Sequence, residues 1–324
     1  MRFELTEDQR DFAASLDRLI TSSDPIAAAR SWAADDTAAG LALWQRIADQ
    51  GVSALLVPEE SGGMGAGPVE LAVAFEVLGK HAVPGPWVES AAYLATELSG
   101  AAQEAVAAGA VATVAVPPHT PYALDADVAT QVYLAGSAGL RTATAGERLR
   151  SVDRTRRLFR LDADGIHDTA DRAAEAFDAA ALATAAQLLG AGERVLADAV
   201  TYVKQRRQFG REIGSYQAIK HQLADVRIAL DFARPLVFGA ALVDPDDPAA
   251  RARAVSAAKV ACGDAAYRAS RTGLQVHGAI GYTEEFDLSV WITKIRALVT
   301  AWGTPGFHRD RILSTLTRVP AGER

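Results

Sequence analysis

The sequence predicts a mainly α protein in which helices are followed by a short strand-rich insert and then by a C-terminal helical bundle. Three observations carry that reading. Apolar residues recur at helical spacing over roughly the first hundred residues. The stretch from about 111 to 171 instead breaks into short apolar runs separated by Pro and Gly. Helical periodicity returns after Asp178 and lasts almost to the end. These changes of texture place expected domain boundaries at 1–108, 109–174 and 175–324.

Each element has a local reason. Thr6-Glu7-Asp8-Gln9 has the form of a capping box, in which the Thr6 hydroxyl accepts from an orphan helix amide and Gln9 reaches back. Phe12, Leu16, Leu19 and Ile20 line one face behind it, and helical spacing continues through Trp44 to Gly51. The run 52–57 stops at Pro58, and another helical pattern spans about Pro68 to Gly79. In the insert, 112–116 and 131–134 read as strands, punctuated by Pro117-Pro118, Gly136 and Gly139. Leu182, Leu189, Val195 and Leu196 open the bundle, and Ile219, Leu223, Val226 and Leu230 mark its next helix. Asp247-Pro248 is an N-cap followed by proline at the first helical position, and Gly278 closes that helix. Asp287 caps another, expected to end near Trp302-Gly303.

Composition excludes several classes. With 324 residues, 49% of them apolar and 23% charged, the chain can bury a large core. A formal charge of -7 opposes nucleic acid or an anionic membrane as the main partner. The lone Cys262 cannot form an internal disulfide, the opening Met1-Arg2-Phe3-Glu4-Leu5 lacks a signal-peptide pattern, and no apolar run reaches membrane-spanning length. A cytoplasmic protein is expected.

Common catalytic signatures are missing. Gly62-Gly63-Met64-Gly65-Ala66-Gly67 fails the dinucleotide-loop register and reads as a turn. His81, His119, His167, His221, His277 and His308 show no metal-binding spacing or tight pairing with carboxylates, and no G-x-S-x-G elbow occurs. Two stretches remain. The first is Tyr202-Val203-Lys204-Gln205-Arg206-Arg207-Gln208-Phe209-Gly210, followed by Ile213 and Tyr216-Gln217. The second is Gln275-Val276-His277-Gly278-Ala279-Ile280-Gly281-Tyr282. On spacing alone, each also has an ordinary account, as arginines at a helix C-terminus and as a glycine-terminated helix.

Together and in this order they resemble the acyl-CoA dehydrogenase family, whose bundle carries R-x-x-F-G-x-x-I-x-x-x-Q and then Q-x-x-G-G-x-G-[FY]. Leu5-Thr6-Glu7-Asp8-Gln9 resembles the family's opening, and Val57-Pro58-Glu59-Glu60-Ser61-Gly62-Gly63-Met64-Gly65 its V-P-E-E-x-G-G-x-G loop. The resemblance implies an N-terminal helical domain, a middle β-barrel, here abbreviated, and a C-terminal four-helix bundle. It also implies FAD bound across a subunit interface, an acyl-CoA substrate and an electron-transfer acceptor. Arg206, Gln208, Phe209, Ile213, Tyr216, Gln217, Gln275, Gly278 and Ala279 are the implied cofactor-binding residues.

The family's reaction needs a base to take the α-proton of the thioester, usually a glutamate in a Y-E-G-T context. Counting from Gly281-Tyr282 reaches Ala301-Trp302-Gly303-Thr304, so Trp302 stands in the glutamate's place. An indole is a hydrogen-bond donor only. At the alternative family position, on the first bundle helix, stand Ala180 and Ala181. Glu175, Asp178, Glu284 and Glu285 are the nearby carboxylates, each with an ordinary role as cap or solvated charge. No catalytic residue is therefore assigned. The middle domain, about sixty residues long, also lacks the family's G-S-D loop and W-x-T-N-type strand. These departures make the chain similar to the base-lacking subunits of heteromeric actinobacterial acyl-CoA dehydrogenases of steroid side-chain breakdown. The resemblance implies a longer catalytic partner subunit, in a heterodimer or an α2β2 tetramer. The alternatives are a self-sufficient homomer with an unusual base and a flavin-free structural helical protein.

Overall fold

The computed structural model describes residues 4–137, 139–166 and 171–317; His167 and the first three residues lie outside them. The N-terminal part comprises α1 (Glu7–Thr21), α2 (Pro25–Ala33), α3 (Ala38–Ala48) and α4 (Pro68–Lys80). A π-helical turn (Glu89–Leu94) then runs into α5 (Ala95–Glu97), followed by α6 (Gly100–Ala107). The expected capping box is present: Gln9 N donates to Thr6 Oγ1 at 3.2 Å, and Thr6 N donates to Gln9 Oε1 at 3.0 Å. Gln9 Nε2 also donates to Glu70 Oε1 at 2.7 Å, which ties the start of α1 to that of α4. Trp44 stacks on Trp87 at 3.7 Å and donates from Nε1 to the Gly109 carbonyl at 2.8 Å, so its polar edge is satisfied inside the core.

The middle strands are β1 (Ala112–Ala115), β2 (Ala123–Leu124), β3 (Gln131–Gly136), β4 (Gly139–Leu149) and β5 (Leu158–Ile166). Their order is β1-β3-β4-β5-β2, with β1 parallel to β3 and the other pairs antiparallel. The barrel that the resemblance implied is thus an open sheet with β1 and β2 as its edges. Buried Asp125 binds the sheet to the N-terminal helices, accepting from Trp32 Nε1 at 3.0 Å and from Arg157 Nε at 3.1 Å.

The bundle comprises α7 (Ala173–Gln205), α8 (Gln217–Ala241), α9 (Pro248–His277), α10 (Leu288–Leu298) and α11 (Pro305–Thr317), with a two-residue hairpin, β6 (Arg207–Gln208) and β7 (Arg211–Glu212), between the first two helices. Asp247 caps α9 as expected, accepting from Ala250 N at 2.8 Å. Asp287 does not cap α10 with its side chain and instead pairs with Arg30 at 2.8 Å. α10 also stops at Leu298, before the expected Trp302-Gly303.

Where α4 crosses α7 the two backbones nearly touch. A Cβ on Gly190 would lie 1.9 Å from the Glu76 carbonyl oxygen, and one on Gly79 would lie 2.1 Å from that of Gln187. This crossing fixes the N-terminal helices onto the bundle. His81, which has no carboxylate near it in sequence, meets Asp17 at 2.8 Å beside this crossing, because only the fold brings α1 to the end of α4.

Lys259 explains why α10 ends where it does. Its buried ammonium donates to the Leu298 and Val299 carbonyls at 3.0 and 3.1 Å, satisfying groups that a helix end leaves open. Burial pushes its pKa down to about 7. The unfolded chain therefore holds this proton over a pH range in which the folded chain has released it, and stability rises with pH from about 7 towards the usual lysine value near 10. Denaturant titrations of wild type and Lys259→Met between pH 7 and 9.5 are expected to diverge by on the order of 1 kcal/mol per pH unit. Parallel curves would refute the assignment.

Candidate active site and nucleotide face

α7 ends where Arg206 turns extended, its amide donating to the Tyr202 carbonyl and its carbonyl accepting from Ile213 N at 2.8 Å. Phe209 and Gly210 form the hairpin turn with φ values of 52° and 80°. Two left-handed residues match the twist of the flanking strands, but a phenylalanine there is strained. Its ring is 93% exposed. Arg211 lies over the Tyr216 ring at 3.8 Å, and the Tyr216 hydroxyl donates to the Gln208 carbonyl at 3.5 Å. Ile213 packs on Val203 and Val276, which carries the hairpin against the end of α9.

The second motif meets the first here. The His277 ring stacks on Tyr202 at 4.1 Å, joining the C-terminal ends of α9 and α7. Beyond it Gly278 takes φ 65° and ψ -143° and faces open space. Arg206, Gln208, Phe209, Gln217, Gln275, Gly278 and Ala279 are exposed at this end of the bundle, while Ile213 and Tyr216 are half-buried. Among the described residues the Arg206 guanidinium has no acceptor. Two stretches about seventy positions apart in sequence thus share one polar face.

A different place holds Trp302. It follows α10 with φ 55°, its amide donating to Thr120 Oγ1 at 3.2 Å. His308 Nε2 donates to the Trp302 carbonyl at 2.9 Å, and its Nδ1 then accepts from Ser256 Oγ at 3.0 Å. Burial lowers the His308 pKa to about 4, so the clamp is neutral. Gly303 completes the turn at φ 103°, where a Cβ would come within 2.6 Å of His308 Nε2. The indole is 1% exposed, stacked on Tyr93 at 5.2 Å and edge-on to Phe177 at 6.1 Å. Its Nε1 makes no hydrogen bond among the described residues.

Of the four carboxylates named from sequence, two are paired with arginines. Asp178 is bracketed by Arg311 at 2.5 Å and Arg251 at 3.4 Å, and Glu284 pairs with Arg154 at 2.8 Å. Glu285 offers its backbone carbonyl to Arg30, and Glu175 shares the wall of a cavity of about 410 Å³ with Asp178 and Arg251. Ala180 and Ala181 are fully buried. Sequence reasoning missed Glu89, in the π-helical turn. It is 1% exposed, and neither carboxylate oxygen has a hydrogen-bond partner among the described residues. Burial raises its pKa, against the charge of Arg156; the Trp302 indole favours the anion without a hydrogen bond of good geometry. Its one sequence signal is a carboxylate inside the apolar run 86–95.

Comparison with known proteins bears on both places. Residues 6–106 match the model for the acyl-CoA dehydrogenase N-terminal domain, and residues 170–317 match that for the C-terminal domain. Acyl-CoA dehydrogenase IpdE2 of Mycobacterium tuberculosis is 32% identical over 297 residues, covering 89% of this chain and 91% of its own. Among solved structures, the ChsE4-ChsE5 complex from Mycobacterium tuberculosis superposes with a TM-score of 0.83 at 21% identity, covering 99% of this chain and 100% of that one. The Tcur3481-Tcur3483 steroid ACAD gives 0.82 at 20% identity, covering 96% and 98%. The N-terminal helices and the bundle coincide with the two matched domains: the chain belongs to the acyl-CoA dehydrogenase family.

Proposed function

We propose that this chain is the base-lacking subunit of a heteromeric FAD-dependent acyl-CoA dehydrogenase, and that it completes the flavin site of a longer, catalytic subunit. The observation that carries the reading is Trp302: a donor-only indole, buried and stacked, occupies the turn where the family places its glutamate. The bundle-end face fits the nucleotide half of FAD. Arg206 has no acceptor among the described residues, and its planar fork matches pyrophosphate oxygens; Gln208, Gln217 and Gln275 offer donors, and Gly278 leaves room for close approach. Phe209, Ile213, Tyr216 and Ala279 shape the same face. When bound, FAD supplies the hydride acceptor for α,β-desaturation of a CoA thioester. The proton must then be removed by a group of the other subunit.

Exposed apolar residues support a partner. Ile228, Phe232 and Leu236 repeat every four residues on α8 and are 52%, 73% and 41% exposed. A stripe of that kind on a water-soluble helix is a surface for another chain. The assembly is a heterodimer or an α2β2 tetramer. A steroid CoA thioester as substrate is supported by one of the structural neighbours, the Tcur3481-Tcur3483 steroid ACAD. A cytoplasmic location is supported by the absence, among the described residues, of a helix able to cross a membrane.

A second reading, a self-sufficient homomer, draws on Glu89, the buried carboxylate beside Trp302. Co-expression separates the two. With a longer homologue, the chain is expected to co-purify with stoichiometric FAD; alone, it is expected to be colourless. A yellow homomer whose dehydrogenation is abolished by Glu89→Gln would establish the second reading instead.

A further inference from the structure

Six arginines lie between positions 148 and 160, and four of them are paired. Arg148 meets Asp35 at 2.7 Å, Arg154 meets Glu284 at 2.8 Å, Arg157 meets Asp125 and Asp127 at 3.1 and 3.0 Å, and Arg160 meets Glu147 at 3.0 Å. The remaining two, Arg150 and Arg156, have no side-chain acceptor among the described residues. Both line a cavity of about 470 Å³ between the β4–β5 connection and the end of α10. From α10 the wall receives Arg296, which likewise has no acceptor among the described residues. Among the described residues, no carboxylate lines this cavity. Buried Glu89 feels the charge of Arg156 but makes no hydrogen bond with it.

Three guanidinium groups without a carboxylate partner around one concavity, one of them (Arg296) lying over the Tyr267 ring at 5.9 Å, in a chain of net charge -7 that neutralises their neighbours, are the chemistry of a polyanion site. The rest of the wall is suited to a flat apolar body: Tyr122, Val152 and Leu158 stand on the sheet side, and Val152 is 57% exposed. The volume falls within the range of small-ligand pockets. We propose that this cleft binds a nucleotide phosphate ester, with the arginines on the phosphate and the apolar wall against the base. The site is separate from the bundle-end face and does not depend on the flavin reading.

The test is calorimetric titration of the full chain at low ionic strength with 3′,5′-ADP, 5′-AMP and inorganic pyrophosphate. At least one of the two nucleotides is expected to bind saturably and more tightly than pyrophosphate. Preference for 3′,5′-ADP would point to the adenine end of a coenzyme, and preference for 5′-AMP to a free mononucleotide. Arg156→Gln/Arg296→Gln is expected to weaken binding at least tenfold, and Arg296→Gln alone, on a helix surface, to weaken it measurably without a change in melting temperature. Arg154→Gln, the paired neighbour, is expected to bind as wild type does. No saturable binding, pyrophosphate binding as tightly as the nucleotides, or binding lost in Arg206→Ala but kept in the double variant would each overturn the proposal.

Discussion

Arg206→Ala, examined in the complex with the longer subunit, is expected to weaken FAD retention by about tenfold to a hundredfold, the equivalent of one charge-assisted hydrogen-bond group to a phosphate. The guanidinium stands exposed at the end of α7 with no acceptor among the described residues, so its removal breaks no hydrogen bond or ion pair among them. Its thermal stability without flavin should therefore match wild type. Flavin fluorescence released on dilution measures the first quantity, and a melting curve of the chain alone measures the second. A variant that keeps its flavin would remove Arg206 from the nucleotide face. One that melts early would give it a structural role instead.

Trp302 should behave in the opposite way. Its indole fills the space between Tyr93 and Phe177, so Trp302→Ala is expected to cost about 3–5 kcal/mol of stability, as other large core truncations do. Per-flavin turnover of whatever complex survives should remain close to wild type, because an indole moves no proton. Trp302→Phe, which keeps an aromatic ring in the stack, should recover most of the stability. Denaturation midpoints together with turnover normalised to bound flavin separate the two effects. Loss of turnover in Trp302→Phe at undiminished stability would mean that this residue takes part in the chemistry. Trp302→Glu is not expected to restore activity, since it would bury a second carboxylate close to Glu89.

The parts of the fold that are legible in the sequence are those set within one helical turn. The capping box at Thr6, the proline-led start of α9 and its glycine end are devices of this kind, and they form as expected. The pairing of the two bundle motifs is legible only through family resemblance. Nothing in the spacing of Tyr202 and His277 says that their rings stack. The end of α10 differs from the expected one because the group that caps it, Lys259, comes from another helix thirty-nine residues away. Glu89 escapes a reading of the sequence for a related reason. A carboxylate in an apolar run is a signal without a meaning until tertiary packing seals it beside Trp302. The unpaired arginines are hidden too, since pairing is a property of space: Arg154 and Glu284 are 130 positions apart.

The most direct test is to load the purified chain with excess FAD, offer it an acyl-CoA thioester and an artificial electron acceptor, and measure enoyl-CoA formation with and without the longer subunit. Desaturation should appear only when both chains are present. Rapid enoyl-CoA formation by this chain alone would contradict the account.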